Sequence, residues 1–228
     1  MSEQVQQMFA QIAPRYDLAN EVLSLGIHRS WRRTAVRESG ARSGQSVLDC
    51  ATGTGDLALE FKRCVGAAGK VIGTDFCAEM LAIAPQKASK AGLDVRFEAA
   101  DATSLPYPDE SFDVAAIAFG IRNVDEPLRC LSEMARVTKR DGRVVVLEFG
   151  QPRGVFGALF RFYSRRIMPW LGGLLTGERA AYEYLPRTAA IFPSGERFLS
   201  MMREAGAFTE CYARPLTLGT AYVYVGKR

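Results

Sequence analysis

Apolar and polar residues alternate along the chain in a pattern that predicts a layered α/β protein. From residue 46 onwards, short apolar runs such as SVLDCA, KVIGTDF and RVVVLEFG alternate with longer amphipathic segments such as residues 125–138. Nearly continuous apolar runs are typical of strands that are buried on both faces of a parallel sheet. Strands that alternate with helices of roughly 10–15 residues indicate βαβ units.

The two ends of the chain depart from this alternation. Residues 1–45 have helical spacing with breaks at Pro14 and Gly26, and predict an N-terminal helical cap. Residues 151–192 are rich in glycine, aromatic residues and arginine, contain no clear strand, and predict a lid or insertion. The runs FTECYARPL and TAYVYVGK predict a closing antiparallel hairpin. We therefore expect residues 1–228 to form one α/β domain, with a mostly parallel seven-stranded sheet and helices on both faces.

Composition narrows the class of protein. Hydrophobic residues make up 48% of the chain and charged residues 24%, as is usual for a globular protein. The net charge of +4 does not by itself indicate a nucleic-acid partner, and none is predicted. Five scattered cysteines without a C-x-x-C pair argue against a disulfide framework and a zinc site. The single histidine, His28, makes a histidine-based metal centre implausible, so no metal is predicted. The N-terminus lacks a secretion pattern and no run of about 18 apolar residues occurs, so we expect a cytoplasmic protein.

The stretch SVLDCATGTGD is the most informative for chemistry. An apolar strand ends at Asp49, and a tight turn on Gly53 and Gly55 leads into a helix. This arrangement brings a nucleotide close to main-chain N–H groups. The turn formally matches the dinucleotide fingerprint G-x-G-x-x-A, but Asp56 after the second glycine would repel a pyrophosphate. A nicotinamide cofactor is therefore disfavoured.

Acids also end the next two strands, at Asp75 and Asp101. Asp75 follows the turn at about the 20-residue spacing at which a carboxylate reaches a ribose hydroxyl. Together with Asp49, these acids suit a cofactor with positive charge and many donors, such as the ammonium, sulfonium, ribose and adenine groups of S-adenosylmethionine. Each acid alone also fits a solvated loop or a helix cap. An NAD-dependent oxidoreductase and a non-catalytic binding protein therefore stay open as alternatives.

A resemblance to one enzyme family is carried by four longer segments: MFAQIAPRYDLANEVLSLGIHRSWR, LDCATGTGDLAL, ADATSLPYPDESFDVAAIAFGIRNV and EMARVTKRDGRVVVLEF. They are similar to the ubiquinone/menaquinone biosynthesis C-methyltransferases, which are class I S-adenosylmethionine-dependent methyltransferases with a Rossmann-like fold. The resemblance implies S-adenosylmethionine as cofactor and a polyprenylated hydroquinone as substrate, with demethylmenaquinol ahead of a ubiquinone precursor. It also implies cofactor contacts from Thr54, Asp75, Asp101 and Ala102. A methyltransferase for another lipid or small aromatic acceptor is the enzymatic alternative.

Three side chains are candidate catalytic groups. Arg122 and Asn123, in FGIRNV, follow the fourth strand, at the sheet edge where open α/β folds bind ligands. Arg122 would stabilise a phenolate and Asn123 would orient a water; the alternatives are a structural ion pair and a helix cap. His28 is a candidate base, because an unperturbed histidine titrates near neutral pH. An exposed histidine at a helix start is the other interpretation.

Two further pairs and one segment complete the predictions. Tyr16 and Asp17, in RYDLAN, are predicted to close the cofactor pocket, and Tyr182 and Tyr184 to touch the quinol ring; ordinary packing or capping is the alternative for each. Aromatic residues and arginines interleave over residues 155–171, which predicts peripheral contact with the inner membrane surface or a channel for a polyprenyl tail. An amphipathic lid is the other interpretation, and a homodimer is left open.

Overall fold

The computed structural model describes residues 3–228 of the chain. Three helices precede the sheet: α1 (Glu3–Ile12), α2 (Tyr16–Ser24) and α3 (Ile27–Ser39). Both predicted breaks are present. Pro14 lies in a short 3-10 turn, and Gly26 takes a left-handed φ of +75° between α2 and α3, a conformation that glycine adopts without strain. Residues 1 and 2 lie outside the described part.

Seven strands follow: β1 (Ser46–Cys50), β2 (Lys70–Asp75), β3 (Arg96–Ala99), β4 (Phe112–Ala118), β5 (Thr138–Phe149), β6 (Glu210–Leu216) and β7 (Ala221–Lys227). They form one sheet in the order β3-β2-β1-β4-β5-β7-β6. Neighbours among the first five strands are parallel, whereas β7 runs antiparallel to both β5 and β6. The predicted fold class, a mostly parallel sheet closed by an antiparallel hairpin, is confirmed.

Eight helices accompany these strands: α4 (Asp56–Val65), α5 (Ala78–Leu81), α6 (Ala84–Lys90), α7 (Pro127–Val137), α8 (Gly154–Phe162), α9 (Met168–Thr176), α10 (Arg179–Ile191) and α11 (Glu196–Glu204). The apolar residues Met80, Leu81 and Ile83 predict one helix over residues 77–91, and this prediction is wrong, because α5 and α6 are separate. Pro85 has no N–H to donate to the carbonyl of Leu81, so the helix restarts there.

The core lies on both faces of the sheet. Successive strand residues point to opposite sides, so Leu48 packs in the cluster beneath α7 and α11, while Val47 packs beneath α3 and α4. Both side chains are fully buried. The near-continuous apolar strands are thus explained by a sheet that is covered on both sides.

Residues 151–192 form helices rather than strands. A π-helical turn (Tyr163–Ile167) joins α8 to α9, and α10 packs on α9. The Tyr163 hydroxyl donates to the Leu23 carbonyl at 2.7 Å, which fastens this segment to α2. A small core that contains Leu23, Met168 and Tyr182 lies between the two segments.

Candidate active site

A cleft lies at the carboxyl ends of β1, β2 and β4. It has about 740 Å³ of space, part of it open to solvent. Its lining joins the glycine turn, the strand ends and the N-terminal helices: Phe9, Tyr16, Gly53, Asp75, Phe76, Met80, Asp101, Ala102, Phe119 and Asn123. Six of the predicted site residues therefore face one space.

Asp75 is held in this cleft by backbone donors on both sides. The Gly53 N–H donates to its Oδ2 at 2.7 Å, and the Cys77 N–H donates to its Oδ1 at 2.8 Å. Burial raises the pKa of Asp75, while the N–H groups of Cys77 and Gly53 oppose that rise. Gly53 has a φ of +57°, so the turn reaches the carboxylate through a backbone conformation that favours glycine.

Asp101 presents a second carboxylate in the same cleft. The N–H and the hydroxyl of Thr103 each donate to its Oδ1 at 2.8 Å. Partial burial would raise the pKa of Asp101, but these hydrogen bonds outweigh it and hold the pKa below its ordinary value. Asp101 is therefore ionised at neutral pH, with Ala102 next to it along the lining.

Thr54 and Asp17 lie outside the cleft, in an ionic cluster that ties α2 to the glycine turn. The Thr54 hydroxyl donates to Asp17 Oδ1 at 2.6 Å. The Lys87 ammonium bridges Asp17 Oδ2, at 2.6 Å, and Asp56 Oδ1, at 2.5 Å. Arg32 contacts the other oxygen of Asp56 at 2.9 Å. The cluster holds α2 against the glycine turn, so Asp17 positions this helix without lining the cleft.

A second, larger cavity is mainly apolar and meets the cleft at Tyr16 and Phe119. It has about 1,180 Å³ of space, part of it open to solvent. Apolar side chains from residues 23–31, from the end of β5 and from residues 151–192 form most of its wall: Leu23, Leu25, Ile27, Trp31, Phe149, Phe156, Phe160, Tyr163, Met168, Tyr182 and Leu185. Arg122 and His28 are among the few polar groups in this wall.

Arg122 forms a buried ion pair at the edge of the apolar cavity. Its Nη1 donates to Glu148 Oε1 at 2.9 Å and to the Phe119 carbonyl at 2.5 Å, and its guanidinium lies 5.2 Å from the centre of the Phe149 ring. The side chains of Arg122 and Glu148 are 3% and 1% exposed. Arg122 Nε has no hydrogen-bond partner among residues 3–228. The Arg122 guanidinium therefore lies against an apolar pocket with its Nε–H unpaired among these residues.

His28 is a neutral wall residue. Burial and then the positive charge of Arg32 lower the pKa of His28 to about 4. Its Nδ1 is hydrogen-bonded to the Ser24 hydroxyl. A group with so low a pKa accepts protons weakly at pH 7, so its role as a base stays a prediction that rests on position alone.

Sequence and structural comparisons place the chain in a family. The model of the ubiE/COQ5 methyltransferase family matches residues 1–228. The chain belongs to the ubiE/COQ5 methyltransferase family. It is 56% identical over 225 residues to the ubiquinone/menaquinone biosynthesis C-methyltransferase UbiE of Bdellovibrio bacteriovorus, covering 98% of this chain and 95% of that protein.

More distant comparisons agree. The demethylmenaquinone methyltransferase of Deinococcus radiodurans is 49% identical over 225 residues, covering 98% of this chain and 92% of that protein. A methyltransferase structure from Thermotoga maritima superposes with a TM-score of 0.67 at 21% identity, covering 97% of this chain and 98% of that one, and so supports the fold alone. The predictions of a methyltransferase and of S-adenosylmethionine as its cofactor are confirmed, and the nicotinamide alternative is not favoured.

The cleft of this methyltransferase fits S-adenosylmethionine. Asp75 and Asp101 present carboxylates that could accept from the hydroxyl and amine donors of the cofactor, and Phe76 and Met80 would add apolar surface for its base. The cofactor supplies an activated methyl group. Gly120 keeps the cleft open beside β1, because a Cβ there would lie 2.6 Å from the Cβ of Ala51.

The remaining predicted residues, Asn123, Tyr182 and Tyr184, lie in different places. Asn123 lines the cleft and does not cap α7, whose first turn begins with Pro127 after Glu126. Tyr182 lines the apolar cavity, whereas the Tyr184 hydroxyl donates to Asn123 Oδ1 at 3.2 Å. Tyr184 therefore links α10 to the turn after β4, and its contact with a quinol ring stays a prediction.

Glu148 is the residue that sequence reasoning missed. It ends the apolar run RVVVLEF, so it is an acid at a strand end like Asp49, Asp75 and Asp101. The rule that singled out those three acids also applies to the fifth strand. The ion pair that sequence reasoning gave as an alternative for Arg122 is present, and Glu148 is its partner.

Asp49 lies behind the turn, where it accepts from the Thr52 hydroxyl at 2.6 Å and does not line the cleft. Burial raises the pKa of Asp49 to about 7, against an ordinary value of 3.8. Between these two values the folded chain holds a proton that the unfolded chain releases. Stability should therefore fall as the pH rises from about 4 to about 7, by up to roughly 4 kcal/mol from this group, and level off above.

Denaturant unfolding at several pH values tests this expectation. Asp49→Asn cannot titrate, so its free energy of unfolding relative to the parent chain should increase across this pH window. Asp113→Asn is the matched control. Burial raises the pKa of Asp113, but the Ser46 N–H and Lys139 outweigh it and lower that pKa, so this variant should show no such gain. Parallel curves for the parent and Asp49→Asn would rule the effect out.

Proposed function

We propose that this chain methylates a ring carbon of a polyprenylated hydroquinone, with demethylmenaquinol as the first substrate to test. The relatives named above are quinone-biosynthesis methyltransferases, at 56% and 49% identity over nearly the whole chain. The observation that carries the proposal is the junction of the two spaces. A cleft with two carboxylates shares Tyr16 and Phe119 with a large, mainly apolar cavity that has a buried arginine in its wall.

Arg122 is the residue that would make the ring carbon reactive. A hydroquinone becomes nucleophilic at carbon when one hydroxyl loses its proton, because the oxygen then feeds electron density into the ring. The Arg122 guanidinium, buried beside Phe149, would stabilise that phenolate in a site with little water. Asn123, held by Tyr184, would orient the water that carries the proton away. Net transfer replaces a ring hydrogen by methyl and releases one proton.

A direct assay tests the proposed function. Purified protein is incubated with S-adenosylmethionine and reduced demethylmenaquinone, and in parallel with demethylated benzoquinols. We expect mass spectrometry to detect a gain of about one CH₂ on the naphthoquinol ring. Methylation of the benzoquinols alone would reassign the substrate, and absence of product from both ring classes would contradict the proposal.

We also propose that residues 155–171 contact an anionic membrane surface. No helix among residues 3–228 is both long and apolar enough to cross a bilayer. Large apolar side chains on α8 and α9 are nevertheless exposed, with Leu159 at 64%, Phe162 at 62% and Trp170 at 61%. The exposed Arg161, Arg165 and Arg166 interleave with them, and their charge complements acidic lipid headgroups.

Vesicle sedimentation tests the membrane contact. The parent chain should bind phosphatidylglycerol vesicles more tightly than phosphatidylcholine vesicles, and Trp170→Glu should weaken that binding at least about tenfold. Ile191→Glu, at an even more exposed apolar residue outside the segment, is the control. Absence of vesicle binding, with Trp170→Glu instead converting a dimer to a monomer in sedimentation velocity, would assign this face to a homodimer.

The same proposal gives roles to the two flanking segments. Residues 1–45 act as a cap over the cofactor cleft, and residues 151–192 act as a lid over the apolar cavity, within one domain of residues 1–228. Support comes from Phe9 and Tyr16 in the cleft wall and from Phe160 and Met168 in the cavity wall.

A further inference from the structure

A groove lies beside the apolar cavity, between the π-helical turn and α10. The two spaces adjoin, since they share four apolar side chains: Phe149, Phe160, Met168 and Leu185. The groove has about 820 Å³ of space, part of it open to solvent. Along α10 its wall is made of the small or apolar residues Pro186, Ala189 and Ala190. The four shared side chains therefore form the boundary between the cavity and the groove.

The inner groove offers few hydrogen-bonding groups to a ligand. Pro186 carries no N–H. The buried hydroxyl of Ser164 donates to the Arg161 carbonyl at 3.2 Å. The Gln151 amide donates to the carbonyls of Ala190 and Phe192 at 2.8 and 3.1 Å, so it is occupied in closing the end of α10. Such a wall suits a flexible hydrocarbon, which gains free energy by leaving water and needs no polar partner.

The π-helical turn lies where the two spaces meet. Tyr163 from this turn lines the cavity, and Ser164 and Arg165 line the groove. Single π turns within α-helices occur frequently at functional sites, because the extra residue displaces neighbouring side chains. At the outer end of the groove, Arg161 and Arg165 belong to the surface that we propose contacts the membrane.

We infer that this groove is the binding subsite for the first isoprene units of the quinol's prenyl tail. The ring occupies the cavity near Arg122, the tail passes between Phe160 and Leu185, and it leaves beside Arg161 and Arg165. The inference rests on the proposed function, because only a prenylated substrate has a tail. A competing exit runs past Leu25, which lines the cavity and is 92% exposed.

Blocking the groove tests the inference. Ala189→Trp would place an indole in the path of the tail, and Ala190→Phe is a second variant in case the first fails to fold. Ala180→Trp, at an exposed position on the same helix, is the matched control. Substrates are demethylnaphthoquinols with no tail, with one isoprene unit and with three, and the readout is kcat/KM for each.

We expect the groove variants to lose at least about tenfold more kcat/KM on the three-isoprene quinol than on the tail-free quinol, mainly through KM. Ala180→Trp should treat all three substrates as the parent chain does. Equal losses on all substrates, or a tail-dependent loss in Leu25→Trp but not in the groove variants, would overturn the subsite. Failure of the parent chain to methylate any of these quinols would instead overturn the proposed function.

Discussion

Arg122→Met is expected to lower the free energy of unfolding by about 3–5 kcal/mol and to slow turnover at least about a hundredfold. The stability loss arises because Glu148, 1% exposed, would lose the cation that compensates its buried charge. The Phe149 N–H, at 2.8 Å, would still donate to its Oε1. The turnover loss arises because the phenolate would lose its donor in the apolar cavity.

A double variant separates the two effects. Arg122→Met with Glu148→Leu removes both charges, so most of the stability should return, as is usual when a buried ion pair is replaced by apolar groups. Turnover should not return, because the cation would still be missing. Chemical denaturation and single-turnover kinetics on the four chains of the cycle provide the measurement. Recovery of turnover in the double variant would show that Arg122 acts only through stability.

The exposed pair Arg96–Glu98 is the matched control for stability. Arg96 Nη2 and Glu98 Oε2 are 2.6 Å apart, but the arginine side chain is 72% exposed. We expect Arg96→Met to cost less than about 1 kcal/mol, because water already solvates that charge. A cost equal to that of Arg122→Met would mean that burial does not determine the effect.

Asp75→Asn is expected to weaken binding of S-adenosylmethionine about 10- to 100-fold. A hydrogen bond to a charged group contributes roughly 1.5–3 kcal/mol, and this substitution removes the charge. The effect should appear in binding itself, whereas Asn123→Ala should mainly slow turnover. Titration calorimetry with S-adenosylhomocysteine, which avoids turnover, gives the dissociation constant for each variant.

Asp113→Asn provides the control for Asp75→Asn. Asp113 also accepts from a backbone N–H, that of Ser46 at 2.8 Å, and from Lys139 at 2.9 Å. It lies at the start of β4, at the opposite edge of the sheet from the cleft. Its replacement should leave the dissociation constant within about twofold. Equal weakening in the two variants would mean that Asp75 acts through general stability rather than at the cofactor.

The features predicted correctly from sequence are those encoded in contiguous residues. The strand, turn and helix around Gly53 follow one another along the chain. The nearly continuous apolar runs of the strands already indicate a sheet that is covered on both faces. Asp75 ends the next strand, so parallel pairing of β1 with β2 brings it to the turn. Local periodicity and the topology of parallel strands were sufficient for the fold and for one face of the cleft, whereas the choice of cofactor also needed the family resemblance carried by the four longer segments.

The tertiary structure alone decided which side chains that are distant in sequence meet. Arg122 and Glu148 are 26 residues apart, Thr54 and Asp17 are 37 apart, and Tyr184 and Asn123 are 61 apart. A hydrophobic pattern shows that a face is buried, but not which element covers it. For that reason the sequence determined the sheet and the carboxylates at its strand ends, whereas only packing revealed the partner of Arg122 and the groove beside α10.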